Sequence, residues 1–153
     1  MSAYYEFKLP TKILSGDGAL EHIPHELETL GARRPLLLSD RGLEQVGTVK
    51  IVQAALGQGG MPAAETFCEI PPDSSIDTVN QIAALYRQRA CDSLIAVGGG
   101  SVIDTAKGVG MVLAQAGSDL LDAAGCEVLP RGEHVPFVAV PTTAGTGSEA
   151  TLV

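Results

Sequence analysis

Gly98-Gly99-Gly100-Ser101-Val102-Ile103-Asp104-Thr105-Ala106-Lys107 follows the apolar run Leu94 to Val97 and opens a helical pattern. A glycine-rich turn between a buried strand and a helix start bares backbone N–H groups at the positive end of the helix dipole, a ready site for phosphate. The run matches neither common phosphate-loop formula. Gly98 and Gly100 supply G-x-G, but Ile103 stands where the third Rossmann glycine belongs, and no G-x-x-x-x-G-K-[ST] string occurs. Ser101 with Asp104 also fits the S-x-x-D capping box of ligand-free helices, so a plain strand-to-helix turn is the alternative.

A second stretch bears on that choice. Pro141-Thr142-Thr143-Ala144-Gly145-Thr146-Gly147-Ser148-Glu149 follows another apolar run, residues 137–140. Hydroxyl and glycine residues make a polar loop at a strand's carboxyl end, where open parallel sheets place their ligands. Composition alone also allows an ordinary solvated loop. If the two strands run parallel, the two loops belong on one sheet edge.

Working outward, the chain alternates helical and strand periods. Residues 18–30 read as a helix with Leu20, Ile23, Leu27 and Leu30 as its buried stripe, and residues 35–39 as a strand. Residues 43–56 read as a helix closed by Gly57, and 61–68 as a weaker strand. Ile76, Val79, Ile82, Ala83 and Tyr86 mark a helix, 93–97 a strand, and Val102, Ala106, Val109 and Leu113 a further helix. Residues 117–134 form a long connection with a short helix near 120–124, before the last strand. The expectation is an α/β fold: a Rossmann-like parallel sheet with helices on both faces.

Asp40 ends the strand that includes Leu36, Leu37 and Leu38. An acidic residue there can accept hydrogen bonds from an adenosine ribose and repel a 2′-phosphate, or it can cap the following helix. Arg41 beside it offsets part of that repulsion. Lys107, one turn past Asp104, fits a local i, i+3 ion pair.

Together, GGGSVIDTAK and PTTAGTGSE resemble the motif pair of the iron-containing, group III alcohol dehydrogenases. The opening residues Phe7, Pro10, Thr11, Lys12 and Ile13, with the Gly16-x-Gly18 step, resemble that family's first strand and turn. Leu36-Leu37-Leu38-Ser39-Asp40 and Pro72-Asp73-Ser74-Ser75 fall at matching places. Dehydroquinate synthases and glycerol-1-phosphate dehydrogenases share the fold but do not usually carry the nonapeptide. The resemblance implies a dehydroquinate synthase-like amino-terminal domain that binds NAD(H), with Asp40 favouring NAD over NADP. It implies that Gly99, Gly100 and Ser101 contact the pyrophosphate, that Asp104 lies near the nicotinamide ribose, and that Thr142, Thr143 and Thr146 line the cleft. Asp73 stands where the family more often has Asn in a Pro-Asn-Pro-Thr segment, a departure at that contact.

The same resemblance implies a helical carboxyl-terminal domain supplying an aspartate and three histidines to a divalent metal, iron or zinc. The expectation is that residues 1–153 are the dinucleotide-binding domain and that the metal-binding domain is absent. The complete enzyme would move hydride between NAD(H) and a small alcohol or aldehyde, and dimers would join through amino-terminal strands near Tyr4 to Lys8. The rival reading is a standalone nucleotide-binding or assembly module. His22 and His25, beside Glu21 and Glu26, could share a helix face, but Pro24 disturbs that helix and the histidines read as its solvated side.

Composition narrows the partners. Eighteen acidic residues against ten Lys and Arg give a formal charge of −8, which disfavours nucleic acid and anionic membranes. The apolar fraction of 45% supplies a core, and no apolar run approaches the roughly 20 residues that span a bilayer. Cys68, Cys91 and Cys126 are widely spaced without C-x-x-C, as expected of reduced, buried thiols in a cytoplasmic protein.

Overall fold

Four parallel strands carry the fold in the computed structural model, which describes residues 11–73, 75–115, 119–123 and 134–149. They are β1 (Pro35–Leu38), β2 (Glu65–Phe67), β3 (Ser93–Gly98) and β4 (Phe137–Pro141), in the spatial order β2-β1-β3-β4. Leu36 stands opposite Glu65 on one side and Leu94 on the other, and Ile95 stands opposite Val138. Every residue of β1 and β3 is buried, which is why both read as continuous apolar runs without alternation.

The strand pleat divides these residues between two helical layers. Leu36, Leu38, Leu94 and Ala96 pack with α4 (Ile76–Gln88) and α5 (Gly100–Ala114) through Val79, Ile82, Val102 and Ile103. Leu37, Ile95 and Val97 pack with α1 (Ile23–Thr29) and α3 (Thr48–Gln58) through Leu27, Val49, Val52 and Leu56. Each fully buried leucine contributes about 1.5–3 kcal/mol, so a core covered on both faces holds the sheet. The expected α/β architecture with helices on both faces is present.

Several boundaries differ from the sequence reading. The helix expected over 43–56 is two helices, α2 (Arg41–Gln45) and α3, because Gly47 takes a left-handed φ of 91° between them. The helix expected over 18–30 begins as a 3₁₀ turn, Ala19–His22, and becomes α-helical where Pro24 occupies the first turn, a position needing no N–H. Leu30 is 57% exposed and is no part of the buried stripe. His22 and His25 are exposed, as expected. The strand expected over 61–68 shrinks to three residues, and a short 3₁₀ helix occupies Leu120–Ala123. Thr11 to Ile13 form no strand, although Lys12 reaches Glu26 at 2.7 Å. Tyr4 to Lys8, Pro10, Ser74, Cys126 and most of the 117–134 connection lie outside the described residues.

Polar side chains fix both ends of the central strands. At the amino-terminal end, the Asp92 carboxylate accepts the backbone N–H groups of Arg33 and Arg34, both at 2.8 Å, and the Ser93 hydroxyl at 3.0 Å. The Arg34 guanidinium donates to the carbonyls of Ala90 and Arg89. At the carboxyl end, the fully buried Ser39 hydroxyl donates to Val97 O at 2.8 Å, just past the last paired residues of β1 and β3.

Candidate functional site

The strand order creates the site. Chain leaving β1 crosses to β2 on one side, while chain leaving β3 crosses to β4 on the other, so the loops after β1 and β3 diverge. Such a switch point opens a crevice at the strands' carboxyl ends, where open α/β sheets bind ligands. An open cleft of about 960 Å³ lies there, walled by residues 40–43 and 46, 69–72, 99–102, Thr142 and Thr143.

The amino terminus of α5 faces this cleft. Gly99 is its N-cap and contributes no side-chain cap, and the first turn holds no acidic residue. The amides of Gly100, Ser101 and Val102, without helical acceptors, therefore present an uncompensated positive dipole end. The capping box expected of Ser101 and Asp104 is not formed, because the helix starts before Ser101. Instead the Ser101 hydroxyl donates to Pro72 O, fastening the 69–72 loop to the helix start.

Contacts within the protein exclude a side chain at Gly98 and Gly99 and leave little room for one at Gly100. A Cβ on Gly98 would lie 2.5 Å from Val102 Cγ2, and one on Gly99 would lie 2.8 Å from Thr143 Oγ1. One on Gly100 would meet Ser148 Oγ at 3.2 Å and Thr146 Cβ at 3.6 Å. Absence of side chains thus lets the 142–148 loop close over the turn, and Thr142 N donates to Gly98 O at 3.0 Å. The two motif loops share one sheet edge, as their order required.

Of the residues singled out in the sequence, Asp40, Gly99, Gly100, Ser101, Thr142 and Thr143 wall the cleft. Asp104 and Thr146 stand behind the glycine turn, linked through Ser148, whose hydroxyl donates to Asp104 Oδ2 at 3.1 Å and whose N–H donates to Thr146 Oγ1 at 3.3 Å. Asp104 also pairs with Lys107 at 3.5 Å, the local ion pair expected. Asp73 is exposed and outside the wall. Asp40 caps α2, its Oδ1 accepting from Leu43 N at 2.9 Å. Ser148 was not singled out; its place in the nonapeptide was the available signal. Val46, 75% exposed, and Glu69 also line the cleft, and no sequence pattern marked them.

Cys68 lies beneath this wall. Burial first, then the Glu44 and Asp40 carboxylates, push its thiol up from the ordinary 9.0 to about 11, and burial pushes the Tyr86 phenol up to about 12. Both groups keep their protons in the folded chain at pH values where the unfolded chain has begun to lose them, so the unfolded state binds fewer protons. The Cys68 contribution is full below about pH 9 and is lost as pH rises through 11, while that of Tyr86 is full below about pH 10 and is lost as pH rises through 12. The urea midpoint is expected to fall across that window, with Cys68→Ala flattening the decline.

Among the described residues, no group of three or more His, Cys, Asp or Glu is placed to hold a metal ion. The described residues therefore offer no donor set of the kind the resembled family uses for its metal.

A Rossmann-like α/β sheet with a glycine-turned helix start at its switch point defines the class. The family model described as iron-containing alcohol dehydrogenase matches residues 10–153, and the chain belongs to that family. Choline dehydrogenase of Bacillus subtilis is 36% identical over 152 residues, covering 99% of this chain and 38% of that protein. NAD-dependent methanol dehydrogenase of Bacillus methanolicus is 34% identical, covering 95% and 37%. Among solved structures, a 1,3-propanediol oxidoreductase superposes with a TM-score of 0.87 at 33% identity, covering 97% of this chain and 38% of that one. Sulfoacetaldehyde reductase of Bifidobacterium kashiwanohense, solved in complex with NAD+, superposes with a TM-score of 0.86 at 25% identity, covering 98% and 39%. The chain thus spans less than two-fifths of the length of each of these four relatives.

Proposed function

We propose that this chain is the NAD-binding half of an alcohol dehydrogenase which, when complete, transfers hydride between NAD(H) and a metal-bound small alcohol or carbonyl. The observation that carries the reading is the α5 amino terminus, with no side-chain cap and no acidic residue in its first turn, opening on the switch-point crevice. Its donors suit an anionic group, and bound dinucleotide would supply the hydride acceptor and donor. Gly99, Gly100 and the Ser101 backbone would hold the pyrophosphate. Thr142 and Thr143 would wall the cleft, with Thr146 and Asp104 bracing that loop through Ser148. Asp73 carries no weight in this reading, because it stands outside the wall.

Residues 1–153 would form the dinucleotide-binding domain, with the metal-binding domain supplied elsewhere in the complete enzyme. The buried free thiols of Cys68 and Cys91 support a cytoplasmic setting. No helix among the described residues is long and apolar enough to cross a membrane. Homodimers through residues 4–8 are part of the proposal by family resemblance.

Asp40 supplies the test. Glycine is tolerated at an N-cap with a loss of only a few tenths of a kcal/mol, so Asp40→Gly removes the carboxylate while nearly sparing α2. Calorimetric titration should find NAD+ bound more tightly than NADP+ by the unmodified chain, and the gap narrowed several-fold in Asp40→Gly. Equal weakening of both dinucleotides would leave Asp40 as a helix cap alone.

A further inference from the structure

The cleft wall carries a charged contact that the nucleotide reading leaves unused. Arg41 Nη2 and Glu69 Oε1 lie 2.7 Å apart, and both residues line the cleft with Asp40. Arg41 is the first residue of α2, directly after the Asp40 cap. Glu69 belongs to the loop leaving β2, and Ser39 fixes that loop on both sides: Ser39 N donates to Phe67 O at 2.9 Å, and Ile70 N donates to Ser39 O at 3.4 Å. Glu69 is therefore presented to Arg41 from an anchored backbone.

We propose that Glu69 is a specificity-determining residue for the dinucleotide: by holding Arg41, it withholds from the Asp40 end of the crevice the cation that a 2′-phosphate would need. The proposal rests on the nucleotide reading above and deepens it. Asp40 alone does not decide the preference, because Arg41 beside it offsets part of the carboxylate's repulsion. With Glu69 the three side chains carry a net charge of −1, and without it they carry none. A freed guanidinium matches a phosphate with paired N–H donors, whereas one already engaged by a carboxylate does not. The ion pair is exposed and weak in itself, with side chains 69% and 60% accessible. Its leverage comes from competition, since a 2′-phosphate must take Arg41 from Glu69 while lying against that carboxylate.

The experiment is calorimetric titration of the 153-residue chain with NAD+ and NADP+. In Glu69→Gln, the ratio of the NADP+ to the NAD+ dissociation constant is expected to fall about tenfold, as for one regained charge-assisted contact. Adding Arg41→Gln to that variant should return the ratio toward its original value, and raising the salt concentration should shrink the gain. A ratio unmoved by Glu69→Gln, or an equal weakening of both dinucleotides, would overturn the proposal while leaving NAD binding intact. A gain that survives Arg41→Gln would also overturn it, because Arg41 would then not be the group released. If the unmodified chain binds neither dinucleotide, the nucleotide reading fails and this proposal fails with it.

Discussion

Gly98→Val is expected to prevent the chain from folding. Gly98 ends β3, and α5 begins two residues later, so the first turn of that helix is folded back against the strand end. A Cβ at this position would lie 2.5 Å from Val102 Cγ2 and 2.6 Å from Val102 Cβ. Val102 is 2% exposed and β-branched, so it strongly prefers one rotamer within a helix, and no rotamer moves its Cβ. Overpacking by a methylene or two commonly costs about 1–3 kcal/mol, and an isopropyl group at this separation should cost well above about 4, comparable to the whole stability of a marginal domain. Circular dichroism and urea denaturation would show it as lost helix or a collapsed midpoint. Gly98→Ala should be folded but weakened, and pairing it with Val102→Ala should recover part of the loss. A folded Gly98→Val chain of unchanged midpoint would contradict the packing.

The second large effect is expected at the opposite end of the sheet. Asp92→Ala removes the acceptor for two backbone N–H groups and for the hydroxyl of Ser93, itself fully buried. Leaving such donors unpaired costs about 1–3 kcal/mol each when buried, but the Arg33 and Arg34 amides are near solvent and regain water. A total of about 2–4 kcal/mol follows, read as a drop in the urea midpoint. Asp92→Asn keeps one carbonyl acceptor and should lose about half as much. Because the contact lies away from the cleft, dinucleotide affinity per folded molecule should be unchanged in both variants.

The sheet was legible in the sequence where burial is complete. Leu36 to Leu38 and Leu94 to Val97 are apolar on both faces because helices cover both, and no other fold class produces that pattern beside helical periods. The glycine turn and the hydroxyl loop were legible for the same reason, since each follows a strand directly and their shared edge follows from parallel order. The break at Gly47 was not, because one glycine in an otherwise helical pattern does not announce a left-handed φ. Asp40 could be read as cap or ribose acceptor, and the structure adds the cap without removing the carboxylate from the cleft wall. Glu69 was illegible because its partner, Arg41, lies 28 residues away and only the β1–β2 pairing brings them together. Ser101 looked like a cap by spacing alone; the helix start, set by Gly99, assigns its hydroxyl to Pro72.

The Ser39 hydroxyl has a consequence for how the crevice can respond to an occupant. By bonding Val97 O, while its backbone holds both Phe67 and Ile70, Ser39 welds the floor of the crevice to three segments at once. β1 and β3 cannot slide or splay at that level without leaving a buried carbonyl unpaired. The 69–72 loop is held there too, by Ser39 and by the Ser101 hydroxyl on Pro72 O, so any adjustment in width falls to residues 143–146, and the crevice works as a rigid trough with one adaptable lip.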